Sequence, residues 1–256
     1  MARMTAPDPL VARLRAAGCV FAEDEAALLR DAASGDALEA LVVRRIAGEP
    51  LEPLLGWAAF AGLRVAVAPG VFVPRLRSET LVDAALDGLP DDAVVVELCC
   101  GVGAIAAAIR AARPDAEVWA ADIDPDAVAV ARRNLPPERV VEGDLYDPLP
   151  DRLRGRVDLI VANAPYVPSE EIAFMPAEAR EHEHRVALDG GRDGHAVQAR
   201  IASGSPAWLA PRGRVIIETS ERQAHRTAAL MEGCGLTVRV VCDEQRDGTC
   251  VVGVAP

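Results

Sequence analysis

From residue 94 onward, short apolar runs alternate with helical patterns, and this alternation limits the fold more than any other feature of the chain. Val94-Val95-Val96 opens the series as a buried strand, and helical patterns follow over Ala104–Ala112 and Pro125–Asn134. Strands that alternate with helices form a mostly parallel sheet with helices on both faces. We therefore predict a doubly wound α/β domain, with further strands at 118–121, 140–141, Val157–Ala162 and 215–217 and further helices at 196–209 and 221–233.

The end of the chain follows a different pattern. Two apolar runs, 236–242 and 249–254, flank the polar turn 243–248 without a helical pattern between them. Strands joined without a crossover run antiparallel. The predicted sheet therefore has seven strands and includes a terminal antiparallel strand, which departs from the plain dinucleotide-binding fold.

The residues before this domain form two smaller predicted units. Residues 1–50 carry helical patterning with glycines near the breaks, which predicts a small helical N-terminal lobe. Residues 51–76 change to a pattern with two short β segments, 57–60 and 63–67, separated by Ala61-Gly62, which predicts a β-hairpin linker. The α/β domain then occupies residues 77–256.

Charge and hydropathy exclude several classes of protein. The chain has 39 acidic and 27 basic residues and a formal charge of −12, so its surface repels nucleic-acid phosphates and we expect no general nucleic-acid binding. Residues 1–8 lack the apolar core of a signal peptide, and no run approaches the roughly 20 apolar residues that span a membrane. We therefore expect a cytoplasmic protein.

Potential metal ligands cluster in the segment Glu181-His182-Glu183-His184. A metal site needs three or four converging ligands, and no further His or Cys cluster with suitable spacing occurs nearby in the sequence. We therefore predict no metal site.

A glycine turn and three carboxylates predict a nucleoside cofactor. The strand that ends in Glu97 leads through Gly101 and Gly103 into a helix, where a ligand can approach the backbone and the free N–H groups. Asp122 ends the next strand and could accept hydrogen bonds from ribose hydroxyls. Asp144 follows the third strand, at the same edge of the sheet, and could accept from an adenine amino group.

The identity of the cofactor depends on Glu97. Gly101, Gly103 and Ala106 also satisfy the dinucleotide pattern G-x-G-x-x-A, so a dehydrogenase is an alternative. The Glu97 carboxylate would repel a pyrophosphate, but it suits the cationic ammonium and sulfonium groups of S-adenosylmethionine. We therefore predict S-adenosylmethionine as the cofactor.

The segment Asn163-Ala164-Pro165-Tyr166 follows the fourth strand and is the candidate catalytic loop. The Asn163 side-chain oxygen and the Ala164 carbonyl can each accept one hydrogen of a planar NH₂ group, while the aromatic ring of Tyr166 stacks on it. This arrangement suits methylation of an amide or of a base amino group.

With these motifs, residues 46–254 resemble the HemK/PrmC family of protein-glutamine methyltransferases. Members of that family use S-adenosylmethionine to methylate the glutamine amide in the Gly-Gly-Gln loop of peptide chain release factors. The matching segments are Phe72-Val73-Pro74-Arg75, Ser78-Glu79, Asn163-Ala164-Pro165-Tyr166-Val167-Pro168, and residues 182–194 with their Gly190-Gly191-Arg192-Asp193-Gly194 stretch.

The resemblance implies a class I methyltransferase fold, a release factor as partner and a role for each matched residue. The lobe would help to hold the release factor, while Asn163 and Ala164 hold the substrate amide, Pro165 shapes the loop and Tyr166 stacks. The residues implied for the cofactor are Glu97, Gly101 and Gly103 for the methionine part, Asp122 for the ribose, and Asp144 and Leu145 for the adenine. Ile123 and Asn163 are also implied in cofactor binding, and Phe72, Pro74 and Arg75 would close over the site from the linker.

The chain departs from the family pattern at several positions. Ala164 stands where the catalytic loop usually has proline, Cys99 replaces the first glycine of the turn, and Leu76-Arg77 replaces a Pro-Glu pair. The helical lobe is also shorter than usual. Two alternatives therefore accompany the predicted function: methylation of another planar nitrogen, in a nucleobase or a small metabolite, and a cofactor-binding module that has lost catalysis.

Overall fold

The protein begins with a helical lobe that has its own small core. The structure is a computed structural model that describes residues 8–256, so residues 1–7 of the predicted lobe lie outside it. Leu14 and Leu29 are fully buried and pack with Val42. The helical prediction for this lobe is confirmed, and its helices are α1 (Pro9–Ala16), α2 (Ala22–Ala32), α3 (Gly35–Ile46) and α4 (Leu51–Leu55).

The predicted hairpin is confirmed, and its first strand has the predicted bounds. Strands β1 (Trp57–Phe60) and β2 (Leu63–Ala66) pair antiparallel, with Phe60 opposite Leu63. The start of the predicted linker, Leu51–Leu55, forms the short helix α4, which was not predicted. Gly56 follows in a left-handed conformation with φ +79°, which ends a helix readily because glycine has no Cβ.

A half-buried arginine connects the lobe to the α/β domain. Arg45 Nε donates to Glu25 Oε2 at 2.7 Å, and Arg45 Nη1 donates to Glu178 Oε1 at 2.6 Å. Glu178 lies on a short helix that follows the candidate catalytic loop in the chain. The lobe is therefore tied directly to a segment near the site.

We expect Arg45→Met to lower the free energy of unfolding by about 3 kcal/mol, because it leaves the buried Glu25 carboxylate without its cation. Arg13→Met is the matched control, since the pair between Arg13 and Glu39 is exposed and exposed ion pairs contribute little to stability. Urea denaturation of the two variants checks the difference. Equal losses would show that burial does not strengthen the Arg45 pair.

The α/β domain contains the predicted seven-stranded sheet. The strand order is β5-β4-β3-β6-β7-β9-β8. Strand β9 runs in the direction opposite to the other six strands. The strands are β3 (Val94–Leu98), β4 (Glu117–Asp122), β5 (Val140–Glu142), β6 (Val157–Ala162), β7 (Leu209–Glu218), β8 (Thr237–Asp243) and β9 (Gly248–Val254). The helices are α5 (Glu79–Leu86), α6 (Ala104–Ala112), α7 (Pro125–Asn134), α8 (Ala177–His182), α9 (Ala196–Gly204) and α10 (Glu221–Glu232).

The predicted α/β architecture is confirmed, with errors at the end of one helix and at the start of the strand that follows it. The helix predicted over 196–209 ends at Gly204, and β7 already begins at Leu209. A short 3-10 turn that contains Pro206 separates them. Proline has no backbone N–H to donate, so it does not continue the hydrogen-bond pattern of an α-helix. None of the helices described in residues 8–256 combines the length and apolar character needed to cross a membrane.

Candidate functional site

A cavity of about 540 Å³ lies at the carboxyl ends of the central strands β3, β4 and β6. The order of the sheet reverses here, and α/β sheets commonly bind ligands at such a point. Its volume falls within the range of small-molecule sites. The predicted site residues that line it are Phe72, Pro74, Glu97, Gly101, Asp122, Ile123, Asp144, Leu145, Asn163, Ala164, Pro165 and Tyr166.

The two glycines of the turn between β3 and α6 have different structural roles. Gly101 (φ +53°) donates its N–H to Asp122 Oδ2 at 2.7 Å, and a Cβ added there would meet no atom of residues 8–256 within 4 Å. A ligand can therefore approach its backbone closely. Gly103 lies outside the cavity, and a Cβ there would lie 2.7 Å from Leu135 Cδ1. The structure thus uses Gly103 to pack α6 closely on the end of α7.

Cys99 lines the same cavity in a left-handed conformation, with φ +53°. A residue with a Cβ adopts this conformation at some cost, whereas glycine does not. Cys99 therefore adopts the backbone conformation of the glycine that usually starts this turn in the family. Its side chain becomes part of the cavity wall.

Glu97 is a buried carboxylate at the inner end of the cavity. Its Oε2 accepts a hydrogen bond from the backbone N–H of Ala106 in the first turn of α6, at 2.8 Å. Burial, and secondarily the charge of Asp122, raises the pKa of Glu97 to about 8. A cation bound beside this group would favour its ionised form.

We expect cofactor binding to tighten as the pH rises from about 6 to about 8, because a cationic ligand prefers ionised Glu97 and its binding releases a proton. Glu97→Gln should bind more weakly and lose this part of the pH dependence. Isothermal titration calorimetry of both proteins, in buffers of different ionisation enthalpy, measures the number of protons that cofactor binding releases. An unchanged pH slope in the variant would contradict a role for Glu97 in holding the cation.

The same raised pKa predicts a pH effect on stability. Between the ordinary glutamate value of 4.5 and about 8, the folded protein binds a proton at Glu97 that the unfolded chain has lost. The contribution of this group to stability is therefore largest below the lower value and falls as the pH rises through the window. In Glu97→Gln, this fall in stability with rising pH should be absent.

Two aspartates define the outer part of the cavity. Asp122 is held by the N–H groups of Gly101 and of Asp124, the latter at 2.9 Å from Oδ1, and burial raises the pKa of Asp122. Asp144 Oδ2 accepts from Arg200 Nη2 on α9, at 2.7 Å. A buried carboxylate, two further acceptors and apolar walls such as Leu145 fit a nucleoside that carries a cation, as S-adenosylmethionine does.

The candidate catalytic loop directly follows β6. Asn163 Nδ2 donates to Ser78 Oγ at 3.1 Å, which leaves the Asn163 carbonyl oxygen to accept from a substrate. Ala164 is buried and lines the cavity. The loop can therefore present two acceptors to an NH₂ group without the proline that usually occupies position 164 in the family.

The glycine-rich stretch predicted by resemblance lies directly against the catalytic loop. A Cβ at Gly194 (φ +78°) would overlap the carbonyl oxygen of Tyr166, and a Cβ at Gly190 would lie 2.8 Å from the carbonyl oxygen of Pro165. Gln223 Nε2 also donates to the Tyr166 carbonyl at 3.0 Å. These contacts fix the backbone that carries Pro165 and Tyr166.

Arg75 is the second predicted site residue that lies outside the cavity. Its guanidinium forms an ion pair with the buried Glu183 carboxylate and lies 5.2 Å from the ring centre of Phe72. Glu183 Oε1 also accepts from the backbone N–H of Val73 at 3.2 Å. Arg75 therefore holds the linker in place, while its neighbours Phe72 and Pro74 line the cavity.

Several residues at the site could not be found from sequence. The wall also includes Met175, Arg185 and Leu188 from the segment after the catalytic loop, and Val197 and Arg200 from α9. Arg185 and Leu188 belong to the stretch 182–194 that the resemblance singled out. No local motif marks Met175, Val197 or Arg200, because only the folded chain brings them to β3.

One trio of potential metal ligands meets beside the cavity. Asp124, Asp126 and His184 place ligand atoms within 4.8 Å of one another. His184 Nδ1 already lies 2.7 Å from Asp124 Oδ2, so a hydrogen bond between them accounts for the closest pair.

The chain has relatives among known sequences. Residues 63–182 match the family described as the methyltransferase small domain. The chain is 38% identical over 205 residues to the release factor glutamine methyltransferase of Geobacter sulfurreducens, covering 78% of this chain and 70% of that protein. It is 41% identical over 196 residues to the protein of the same name from Mycolicibacterium smegmatis, covering 75% and 69%.

A solved structure supports the fold. The crystal structure of a methyltransferase from Pyrococcus furiosus matches with a TM-score of 0.57 and 18% identity. The match covers 77% of this chain and 90% of that one. At this identity the likeness shows the shared fold, which agrees with the class I methyltransferase prediction.

Proposed function

Because the chain belongs to the family of the release factor glutamine methyltransferases, we propose that it methylates the side-chain amide of glutamine in the Gly-Gly-Gln loop of a peptide chain release factor. It is an S-adenosylmethionine-dependent methyltransferase. The observation that carries the proposal is that Asn163 and Ala164 line the same cavity as Glu97 and Asp122. An amide held by the loop would therefore meet a methyl donor held by the carboxylates.

The catalytic loop orients the substrate amide. Asn163 Oδ1 and the Ala164 carbonyl would each accept one hydrogen of the glutamine NH₂, so that the nitrogen points into the cavity. Both acceptors stabilise the positive charge that develops on this group as its nitrogen forms a new bond. A neutral amide is a weak nucleophile, and fixed orientation lowers the entropic part of the barrier.

S-adenosylmethionine, when bound, supplies an electrophilic methyl group on a sulfonium. Glu97 would hold its cationic end, Asp122 the ribose hydroxyls, and Asp144 with Leu145 the adenine. Tyr166 would stack on the substrate amide, and Phe72 and Pro74 would exclude water from the linker side. The amide proton leaves to water after the transfer.

We further propose that the N-terminal lobe contacts the release factor. Val20 and Phe21 of the lobe are 81% and 69% exposed, which offers an apolar surface to a protein partner. Arg45 ties the lobe through Glu178 to the segment that contributes Met175 to the cavity. A cytoplasmic location belongs to the same proposal, because release factors act where proteins are synthesised.

The test is to incubate the purified protein with S-adenosylmethionine and an unmethylated release factor, and to examine the Gly-Gly-Gln peptide by mass spectrometry. We expect a single methyl group on the glutamine. A release factor whose loop glutamine is replaced by alanine is the matched control and should stay unmodified. Cofactor binding in calorimetry without any methylated glutamine would overturn the proposed substrate and leave methylation of another planar nitrogen to be tested.

A further inference from the structure

The loop after β5, residues 143–148, carries Asp144 of the proposed adenine site, and we call it the adenine loop. Two hydrogen bonds join it to α9. Arg200 Nη2 donates to Asp144 Oδ2 at 2.7 Å, and the Tyr146 hydroxyl donates to the Ile201 carbonyl oxygen at 2.7 Å. Asp144 and Arg200 both line the cavity, so their ion pair is part of its wall. The proposed reaction gives Arg200 no role.

The backbone of the adenine loop is strained where it meets the cavity. Leu145, which lines the cavity, has φ +50°, a left-handed conformation that a residue with a Cβ adopts at some cost. Contacts with the surrounding fold must hold such a loop in place. Helix α9 supplies them, since a Cβ at Gly204 would lie 2.5 Å from Tyr146 Cε2 and the glycine lets this ring pack closely on the helix.

The ion pair leaves one carboxylate oxygen of Asp144 available to a ligand. Asp144 Oδ2 accepts from Arg200, whereas Asp144 Oδ1 accepts no hydrogen bond from any group in residues 8–256. An ionised carboxylate can only accept, so this oxygen suits the 6-amino group of adenine, which donates. A 6-oxo group, as in hypoxanthine, would place one acceptor against another.

Asp144 needs a partner to keep this orientation because its carboxylate is only partly buried. The side chain is 39% exposed, and Arg200 is its sole hydrogen-bond partner within residues 8–256. A carboxylate that changes rotamer freely must be ordered when the ligand binds, and this ordering weakens binding. Arg200 extends from a helix whose next residues, Ile201 and Ala202, are buried. It can therefore fix the carboxylate before the cofactor arrives.

We propose that Arg200 is a positioning residue that makes the cavity specific for adenine, because it orients Asp144 so that one oxygen faces the 6-amino group. Arg200 acts through Asp144 and needs no contact of its own with the cofactor. The inference rests on the proposed placement of the adenine at Asp144. It does not depend on which substrate receives the methyl group.

Isothermal titration calorimetry with two ligands tests this specificity without a release factor. The probes are S-adenosylhomocysteine and S-inosylhomocysteine, in which an oxygen replaces the 6-amino group, and the preference is the ratio of their dissociation constants. We expect the unchanged protein to prefer the adenosyl ligand about 100-fold, because the inosyl ligand loses a charge-assisted hydrogen bond and faces a repelling acceptor.

Arg200→Met should reduce the preference to about tenfold. The adenosyl ligand should bind about tenfold more weakly, and the inosyl ligand should bind nearly as before, because only the adenosyl ligand uses the oriented oxygen. If Arg200 merely stabilised α9 or the adenine loop, the variant would weaken both ligands by the same factor. An unchanged preference in Arg200→Met would therefore overturn the proposal, whether or not the affinities fall.

Two variants are matched controls for the loss of a contact. Tyr146→Phe removes the other hydrogen bond between the adenine loop and α9. Arg222→Met removes an ion pair of similar length, 2.8 Å to Glu171, whose residues do not line the cavity. Both variants should keep the preference, because Arg200 still holds Asp144. A fall in Tyr146→Phe equal to that in Arg200→Met would overturn the proposal, since it would show that the position of the loop sets the preference.

Asp144→Ala distinguishes a failure of this inference from a failure of the proposed adenine site. Removing the carboxylate should abolish most of the preference, because no acceptor then faces the 6-amino group. If Asp144→Ala loses the preference and Arg200→Met keeps it, the adenine site stands and the role of Arg200 is wrong. If Asp144→Ala keeps the preference, the adenine does not bind at Asp144, and both the placement and the inference fall.

Discussion

Asn163→Ala is expected to lower kcat for glutamine methylation about 1000-fold. The substitution removes one of the two acceptors that orient the substrate amide, and removing a group that stabilises charge in a transition state typically costs about 10²–10³-fold. The carboxylates that would hold the cofactor stay in place, so S-adenosylmethionine should bind within about threefold of the normal affinity. Single-turnover kinetics and calorimetry measure the two effects separately.

Asn134→Ala is the matched control for this deletion. Asn134 accepts from the N–H of Ala66 at 2.7 Å and donates to the carbonyl of Val102 at 2.8 Å, so it joins the hairpin to α7 and the glycine turn. Its loss should reduce the free energy of unfolding, and kcat should stay within about threefold because neither substrate acceptor is touched. A turnover that survives Asn163→Ala would remove the assigned role of the catalytic loop.

Gly194→Ala is expected to lower kcat about 100-fold although residue 194 does not line the cavity. The new Cβ would overlap the Tyr166 carbonyl and would lie 2.5 Å from Gln223 Nε2, so the catalytic loop must shift. A shift of roughly 1 Å in a group that orients substrate is enough for a loss of this size. Steady-state kinetics at saturating release factor measures the change.

Gly155→Ala is the matched control, which separates the effect of the overlap with the Tyr166 carbonyl from the effect of backbone strain. Gly155 has φ +69°, close to the +78° of Gly194, but a Cβ there would meet nothing within 4 Å among residues 8–256. Both variants should lose about 1 kcal/mol of stability from the left-handed backbone, and only Gly194→Ala should lose activity. Equal kcat values for the two variants would show that the glycine-rich stretch does not support the loop.

Local patterns were sufficient for most secondary structure, and the errors have local causes. Strand β6 and helix α7 have the predicted bounds. A mostly apolar run marks the strand in the sequence, and a proline at the first helical position marks the helix. Helix α4 was missed because its five residues are too few to show a helical period. The end of α9 was misplaced because apolar residues continue past Gly204 into the 3-10 turn.

The sequence by itself determined the sheet and the position of each main candidate group, since Glu97, Asp122 and Asn163 each lie at or directly after the carboxyl end of a strand that must be parallel. Only the tertiary structure decided which neighbours those groups have. Arg75 reaches Glu183 across 108 positions, and Arg77 reaches Glu218 across 141. Such pairs depend on how loops cross the edge of the sheet. The order of residues along the chain does not show which distant residues come into contact.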